Sequence, residues 1–112
     1  PDLTVLKTTE PEVFEQAMTE ANAAALTEMM VSAVEQGTGS NARINGMSVA
    51  GKTGTAQTGI DRPSVAWFVA FAPANDPKVA VAVMIEEAGV AEVSGNSLAA
   101  PIARAVMQAV LR

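Results

Sequence analysis

The residues with the clearest potential for chemistry stand together near the middle of the chain, in the stretch 51–55, Gly-Lys-Thr-Gly-Thr. An ammonium group and two hydroxyl groups lie beside two glycines in a sequence otherwise rich in alanine and valine. If the stretch is a strand, alternation places Lys52 and Gly54 on one face and Thr53 and Thr55 on the other. Ammonium and hydroxyl groups can attract and orient a carboxylate, and a free strand edge can pair with an extended peptide. The stretch therefore predicts a site for a peptide acid.

The backbone of the same stretch offers a second kind of chemistry. Gly54 has no side chain, so another backbone or a reacting group can approach the strand closely at that position. The N–H of Thr55, if it points at a carbonyl oxygen, can supply half of an oxyanion hole, where loss of one donor raises a barrier by about 3 kcal/mol. The simplest alternative is a structural one, in which Lys52 extends along the surface of a glycine-rich hairpin and binds nothing.

A phosphate-binding loop is a further alternative, because residues 46–53 satisfy the pattern G-x-x-x-x-G-K-[ST]. Glu86, at the end of a later apolar strand, could then support a magnesium ion. Such a loop requires a buried strand before it and a helix that begins at Lys52 and Thr53. The preceding residues 39–45 are too polar for a buried strand, and Gly54, Gly59 and Pro63 interrupt any helix afterwards. The flanking sequence therefore disfavours nucleotide binding.

The elements around the site can be predicted from hydrophobic periodicity. A helix is expected over about 22–36, with Glu28 and Glu35 facing solvent and Gly37 ending it as a left-handed residue. Residues 37–46 form a polar connection that buries little, and residues 1–12 form an extended lead-in or an edge strand. The apolar residues expected to face the core at helical spacing are Leu26, Met29, Met30, Ala33 and Val34.

Two apolar strands and a closing helix are expected after the site, beyond a turn-rich loop at 58–63. Val65 to Ala72 and Val79 to Ile85 are apolar on both faces and are joined by a proline-containing turn, which indicates a hairpin covered on both sides. The second strand should have a neighbour on each flank, but the 112 residues offer only the hairpin partner, which indicates a fragment. Ser97 can cap a last helix that runs to Arg112 with Pro101 in its first turn. Its predicted apolar stripe comprises Leu98, Ile102, Ala105, Val106 and Ala109. The fold class is thus α/β, more specifically an α+β sandwich of antiparallel strands packed against helices.

Composition excludes several classes of function. The formal net charge is -5 and the seven Lys and Arg residues are scattered, so we expect no nucleic-acid partner. The absence of cysteine and histidine removes thiolate chemistry and the commonest metal ligand, so we expect no metal and no other cofactor. No apolar run reaches the length of a membrane span, and we expect this segment itself to be soluble.

The order of motifs resembles the closing third of the transpeptidase domain of class B penicillin-binding proteins, in particular those of actinobacteria. The resemblance rests on K-T-G-T-A at 52–56, A-W-F at 66–68, P-K-V-A-V at 77–81 and L-A-A-P-I at 98–102, preceded by G-T-G at 37–39. It implies a fold shared by β-lactamases and transpeptidases, with a five-stranded antiparallel sheet between helical layers. The strand that carries K-T-G would be the edge strand that lines the active site.

The resemblance implies a D,D-transpeptidase that crosslinks peptidoglycan through a serine acyl-enzyme and so contributes to cell division and cell shape. By carry-over, Lys52 would join the proton and electrostatic network around the serine, and Thr53 and Thr55 would hold the substrate carboxylate. The N–H of Thr55 would complete the oxyanion hole, and Gly54 would leave room for the helix that bears the serine. The implied ligands are the D-Ala-D-Ala end of a stem peptide and β-lactam antibiotics that mimic it.

Two of the three motifs that this family uses are missing. No serine is followed three positions later by lysine, so the chain holds no nucleophile, and the S-x-N at 94–96 follows K-T-G instead of preceding it. We interpret 94–96 as the lead into the last helix. Residues 1–112 are then expected to be the C-terminal portion of a single transpeptidase domain, inactive alone, whose partner is the remainder of that domain. The membrane anchor on the extracytoplasmic side would also lie outside this chain. A β-lactamase, a β-lactam sensor or a small interaction domain without chemistry remain alternatives.

Overall fold

A computed structural model describes residues 7, 8, 10, 12–57, 64–86 and 93–112. Two α-helices, α1 (Glu20–Glu35) and α2 (Ala100–Val110), and three strands, β1 (Ala50–Ala56), β2 (Val65–Ala72) and β3 (Val79–Ile85), make up its regular structure. The predicted helices, strands and hairpin are confirmed. The expected extended lead-in at 1–12 falls largely outside the described residues, as does the loop at 58–63.

The three strands form one antiparallel sheet in the order β1-β2-β3. In the register of this sheet Phe68 lies between Thr53 of β1 and Val83 of β3, and Trp67 lies between Gly54 and Met84. Because side chains alternate along a strand, the sheet has an inner face that carries Phe68 and an outer face that carries Trp67.

The inner face holds the core. Phe68 is fully buried in a cluster that also includes Val34 of α1, Val49 before β1, and Ala103 and Met107 of α2. Helix α2 packs against β2 and β3, while α1 packs against β1. The sheet is therefore held from the inner face by α2 and along β1 by the C-terminal half of α1.

Helix α1 begins where the sequence provides a cap, since the hydroxyl of Thr19 accepts a hydrogen bond from the N–H of Asn22 at 3.3 Å. Its predicted core stripe is only partly correct. Val34 is buried and Met30 is half-buried, but Leu26 and Met29 are 41% and 62% exposed. Periodicity identified the apolar face, yet no described element covers the N-terminal part of it. Glu28 and Glu35 face solvent as predicted.

Helix α2 differs more from expectation. Ser97 does not cap α2, whose N-cap is Ala99 and has no side-chain hydrogen bond. The Ser94 hydroxyl instead caps the preceding π-helical turn, Gly95–Ala99, by accepting from the N–H of Ser97. The predicted apolar stripe faces away from the core: Ile102 and Val106 are 47% and 41% exposed. The residues of this segment that are buried against the sheet are Ala99, Ala100, Ala103 and Met107. Small side chains let the helix axis approach the sheet closely, and the larger apolar residues are left outside.

The outer face is open in the described part of the chain, contrary to the prediction that the hairpin is covered on both sides. Trp67, Val69 and Met84 are 37%, 40% and 48% exposed, and Ala80 and Ala82 are exposed as well. Within the described sheet β3 has only β2 as a neighbour, which agrees with the expectation that this chain offers only the hairpin partner. Met30 of α1 reaches the border of this face, where an apolar hollow of about 420 Å³ lies against β2 and β3.

The turn between α1 and β1 is more ordered than the predicted polar loop. It contains one 3₁₀ turn, Ser40–Ala42, and Gly39 and Ala42 are buried, which corrects the expectation that it buries little. Gly37 is not left-handed; the described glycine with positive φ is Gly46, at 76°. Gly37 fits closely for a different reason, because a Cβ there would lie 3.0 Å from the carbonyl oxygen of Ala33, a tight contact.

Candidate functional site

Strand β1 places the K-T-G residues at the edge of the described sheet, with β2 as their strand neighbour. The strand can lie this close to the core because Gly51 has no side chain. A Cβ at Gly51 would come within 2.7 Å of Cζ of Phe68 and 3.1 Å of Cγ2 of Val34. Gly51, the residue before K-T-G, therefore allows the strand to pack directly on the core and fixes the position of Lys52, Thr53 and Gly54 after it.

Lys52 lies on the outer face, opposite Val69, and is exposed. Its Nζ donates a hydrogen bond to the carbonyl oxygen of Thr53 at 2.6 Å. The ammonium group thus folds back along its own strand, close to the next residue of the motif. Its positive charge is placed at the strand edge, where an anionic group of a ligand can reach it.

Thr53 and Thr55 lie on the inner face, opposite Phe68 and Ala66. Thr53 is half-buried, and its Oγ1 is 3.0 Å from Oγ1 of Thr38 in the turn after α1. Thr55 is exposed. The structure therefore separates the lysine from the two threonines by strand alternation, as the sequence predicts. All three side chains remain near the same strand edge.

Gly54 is approached from the inner side by Gly95, a residue that sequence analysis did not place near the site. A Cβ on Gly95 would lie 2.2 Å from the carbonyl oxygen of Trp67 and 3.1 Å from that of Gly54. A Cβ on Gly54 would instead meet Cβ of Trp67 at 3.2 Å, on the outer side. The S-G-N segment at 94–96 does lead into the last helix, as predicted, and it also supports the K-T-G strand from behind.

The phosphate-loop alternative does not fit this geometry. Lys52 and Thr53 lie inside β1, which pairs with β2 along its whole length. A phosphate loop needs a helix that starts at these residues and directs free N–H groups at the ligand. The described residues have a strand there, so the alternative lacks the feature on which phosphate binding depends.

Other kinds of site find little support in the described residues. They contain no group of three or more His, Cys, Asp or Glu side chains that could hold a metal ion. None of the helices described is both long and apolar enough to cross a membrane. The K-T-G strand is therefore the part of the described chain with the clearest arrangement for chemistry.

Comparison with known proteins supports the resemblance found in the sequence. The family model for the penicillin-binding protein transpeptidase domain matches residues 2–108. The peptidoglycan D,D-transpeptidase PbpA of Mycolicibacterium smegmatis is 49% identical, and that of Mycobacterium tuberculosis 46% identical, with all of this chain aligned in each case. The chain spans 23% of the length of these relatives.

Solved structures give the same result for the fold. Penicillin-binding protein A from M. tuberculosis, in an acyl-enzyme complex with ceftriaxone, matches 95% of this chain with a TM-score of 0.86 and 45% identity, over 24% of its own chain. The transpeptidase domain of a D,D-transpeptidase from Legionella pneumophila matches 85% of this chain with a TM-score of 0.77 and 39% identity, over 37% of its own chain. The fold is that of transpeptidase domains, and the chain belongs to the penicillin-binding protein transpeptidase domain family.

Proposed function

We propose that this chain is the C-terminal portion of a peptidoglycan D,D-transpeptidase and that it supplies one wall of the active site. The observation that carries the proposal is the K-T-G edge strand, in which one ammonium and two threonine hydroxyls flank a glycine at a strand edge. The relatives are named peptidoglycan D,D-transpeptidases. The serine nucleophile of the reaction would come from outside this chain, in which no serine is followed three positions later by lysine.

The substrate would bind along the free edge of β1. The hydroxyls of Thr53 and Thr55 would donate hydrogen bonds to its terminal carboxylate, and Lys52 would add a positive charge. The D-Ala-D-Ala end of a stem peptide has such a carboxylate, and so do most β-lactams. Solved relatives have been captured as acyl-enzymes with ceftriaxone and imipenem, which supports β-lactams as ligands here.

The N–H of Thr55 would stabilise the oxyanion that forms when the serine attacks. In an antiparallel edge strand, alternate residues direct both N–H and C=O away from the neighbouring strand. The Thr53 carbonyl accepts a hydrogen bond from the Lys52 ammonium, which fits a carbonyl directed away from β2. Thr55 lies two residues further along the strand, so its N–H and C=O should point in the same direction. Removal of one such donor raises the barrier by about 3 kcal/mol in enzymes of this type.

The remainder of the domain would bring the serine and cover the outer face. That face carries Lys52 and Gly54 together with the exposed apolar residues of β2 and β3. Gly54 would leave the space into which the serine-bearing helix fits. Because peptidoglycan lies outside the cytoplasmic membrane, the intact protein would act on that side, held by an anchor outside this chain.

Labelling with a fluorescent penicillin tests the proposal. The intact protein that contains this chain should form a covalent adduct. Lys52→Ala should reduce the second-order labelling rate by about 100-fold or more, because Lys52 belongs to the proton-transfer network. Lys78→Ala, which removes an exposed lysine in the hairpin turn, should leave the rate unchanged.

The 112-residue chain alone should not be labelled. An adduct on the isolated chain would mean that it carries its own nucleophile and would overturn the assignment. Failure of the intact protein to react would remove the transpeptidase proposal altogether.

A further inference from the structure

The Thr38 hydroxyl is the described side-chain partner of the Thr53 hydroxyl, and the two residues come from different elements. Their Oγ1 atoms are 3.0 Å apart, and either atom can be the donor. Each hydroxyl has one proton to donate and two lone pairs that accept. The direction of this hydrogen bond therefore decides what Thr53 can still offer to a ligand.

A carboxylate decides that direction, because it accepts hydrogen bonds and cannot donate them. If Thr53 gave its proton to Thr38, it would present only lone pairs to the carboxylate and would repel it. If Thr38 donates to Thr53, the Thr53 proton is free for the carboxylate. The chain then runs from the Thr38 hydroxyl to the Thr53 hydroxyl to the carboxylate, and each bond polarises the next.

Thr38 is held in position by its neighbours. The N–H of Gly39 donates to the carbonyl of Ala33 at 2.8 Å, and a Cβ on Gly39 would touch Cε2 of Phe68 at 3.3 Å. The Arg43 guanidinium donates to the carbonyls of Val34 and Glu35, the last residues of α1. The turn that carries Thr38 is therefore fixed to the end of α1 and to the core.

The same turn is tied to the segment that supports β1 from behind. The N–H of Asn41 donates to Oδ1 of Asn96 at 2.9 Å, and Nδ2 of Asn41 donates to the carbonyl of Asn96 at 3.0 Å. Nδ2 of Asn96 also donates to Oγ of Ser40 at 3.3 Å. Asn96 follows Gly95, which rests against the backbone of Gly54. Thr38 and the K-T-G strand are thus two parts of one hydrogen-bonded unit.

We propose that Thr38 is a positioning residue, which donates its proton to Thr53 so that Thr53 can donate to the carboxylate of the substrate or β-lactam. The inference rests on the proposed function. It predicts that Thr38 affects the reaction only when the ligand carries a free carboxylate. A role limited to the stability of the turn would affect every ligand alike.

The test compares Thr38→Val, which keeps the shape and removes the hydroxyl, with Thr38→Ser, which keeps the hydroxyl. Both are made in the intact protein, and the second-order acylation rate is measured with a penicillin and with its neutral methyl ester. Thr38→Val should slow acylation by the free acid about fivefold, the effect of one lost hydrogen bond between neutral groups that orients Thr53, and leave the ester rate within twofold. Thr38→Ser should keep the free-acid rate within about threefold.

The same substitution in a Thr53→Val background supplies the control, because Thr38 can act on the carboxylate only through Thr53. Thr38→Val should then have no further effect. An equal loss with acid and ester, no loss with either, or a full additional loss in the Thr53→Val background would overturn the inference while the wild type still reacts. A wild-type protein that forms no adduct with the penicillin would instead refute the proposed function.

Discussion

The two faces of the sheet are built from similar apolar side chains but have different surroundings. On the inner face Phe68 is fully buried beneath α2, whereas on the outer face its neighbours Trp67 and Val69 are 37% and 40% exposed. Within the described residues the sheet is therefore covered on one face and exposed on the other, and Lys52 and Gly54 lie on the exposed face.

The largest expected effect separates the two faces directly. In the 112-residue chain, Phe68→Ala should lower the free energy of unfolding by about 3–5 kcal/mol, because it removes a large side chain and leaves a cavity. Val69→Ala should lower it by less than about 1 kcal/mol, since its side chain is already half in water. Urea unfolding followed by circular dichroism measures both changes.

Phe68→Leu keeps the comparison measurable if Phe68→Ala does not fold. Its cost should fall between those of the two alanine variants. Equal costs at positions 68 and 69 would show that the two faces are equally buried, and the distinction between them would have to be abandoned.

A second, smaller effect compares the two glycines that meet at the K-T-G strand. Gly95→Ala would put a methyl group 2.2 Å from the Trp67 carbonyl oxygen, so the S-G-N segment or β2 must move, at a cost of about 1–3 kcal/mol in unfolding free energy. Gly54→Ala meets only Cβ of Trp67 at 3.2 Å, on the open face, and should cost less than about 1 kcal/mol.

Gly54→Ala should affect reactivity more strongly than it affects stability. In the intact protein Gly54→Ala should slow penicillin labelling, because the methyl group fills the space proposed for the serine-bearing helix. Thermal unfolding and labelling of the same two variants give both quantities. If Gly54→Ala labels as fast as the wild type, the outer side of Gly54 is not part of the site.

The sequence predicted those parts of the structure that depend on neighbouring residues. Strand alternation alone placed Lys52 and Gly54 opposite to Thr53 and Thr55, and the hairpin followed from two apolar runs around a proline turn. Prediction from the sequence failed where contacts between distant segments determine which residues are buried. Periodicity assigned Ile102 and Val106 to the core, but the contact with the sheet selected the alanines of α2 instead.

The supporting residues of the site were missed for the same reason. Thr38 and Asn41 lie in a polar turn, and Asn96 lies 55 residues after Asn41, so no local pattern connects them. Gly95 looked like an ordinary residue before a helix, whereas its role is to leave room for the Trp67 carbonyl. The G-T-G motif at 37–39 was the available signal in the sequence. It indicated the family but not the contact between Thr38 and Thr53.

The smallest expected effect in this chain concerns the outer face, where a charge can be added without disturbing a packed neighbour. Met84→Lys should change the unfolding free energy of the 112-residue chain by about 0.5 kcal/mol or less, because Met84 is 48% exposed and opposite Trp67. In the intact protein the same substitution should be severe, since an ammonium group would be buried beneath the remainder of the domain. Asn75→Lys, in the exposed hairpin turn, should be silent in both proteins. Thermal unfolding of these two variants, each in both proteins, therefore distinguishes an interface from an ordinary surface. If Met84→Lys is as harmless in the intact protein as in the isolated chain, the outer face is not covered in the intact protein. The serine must then approach Lys52 from another direction.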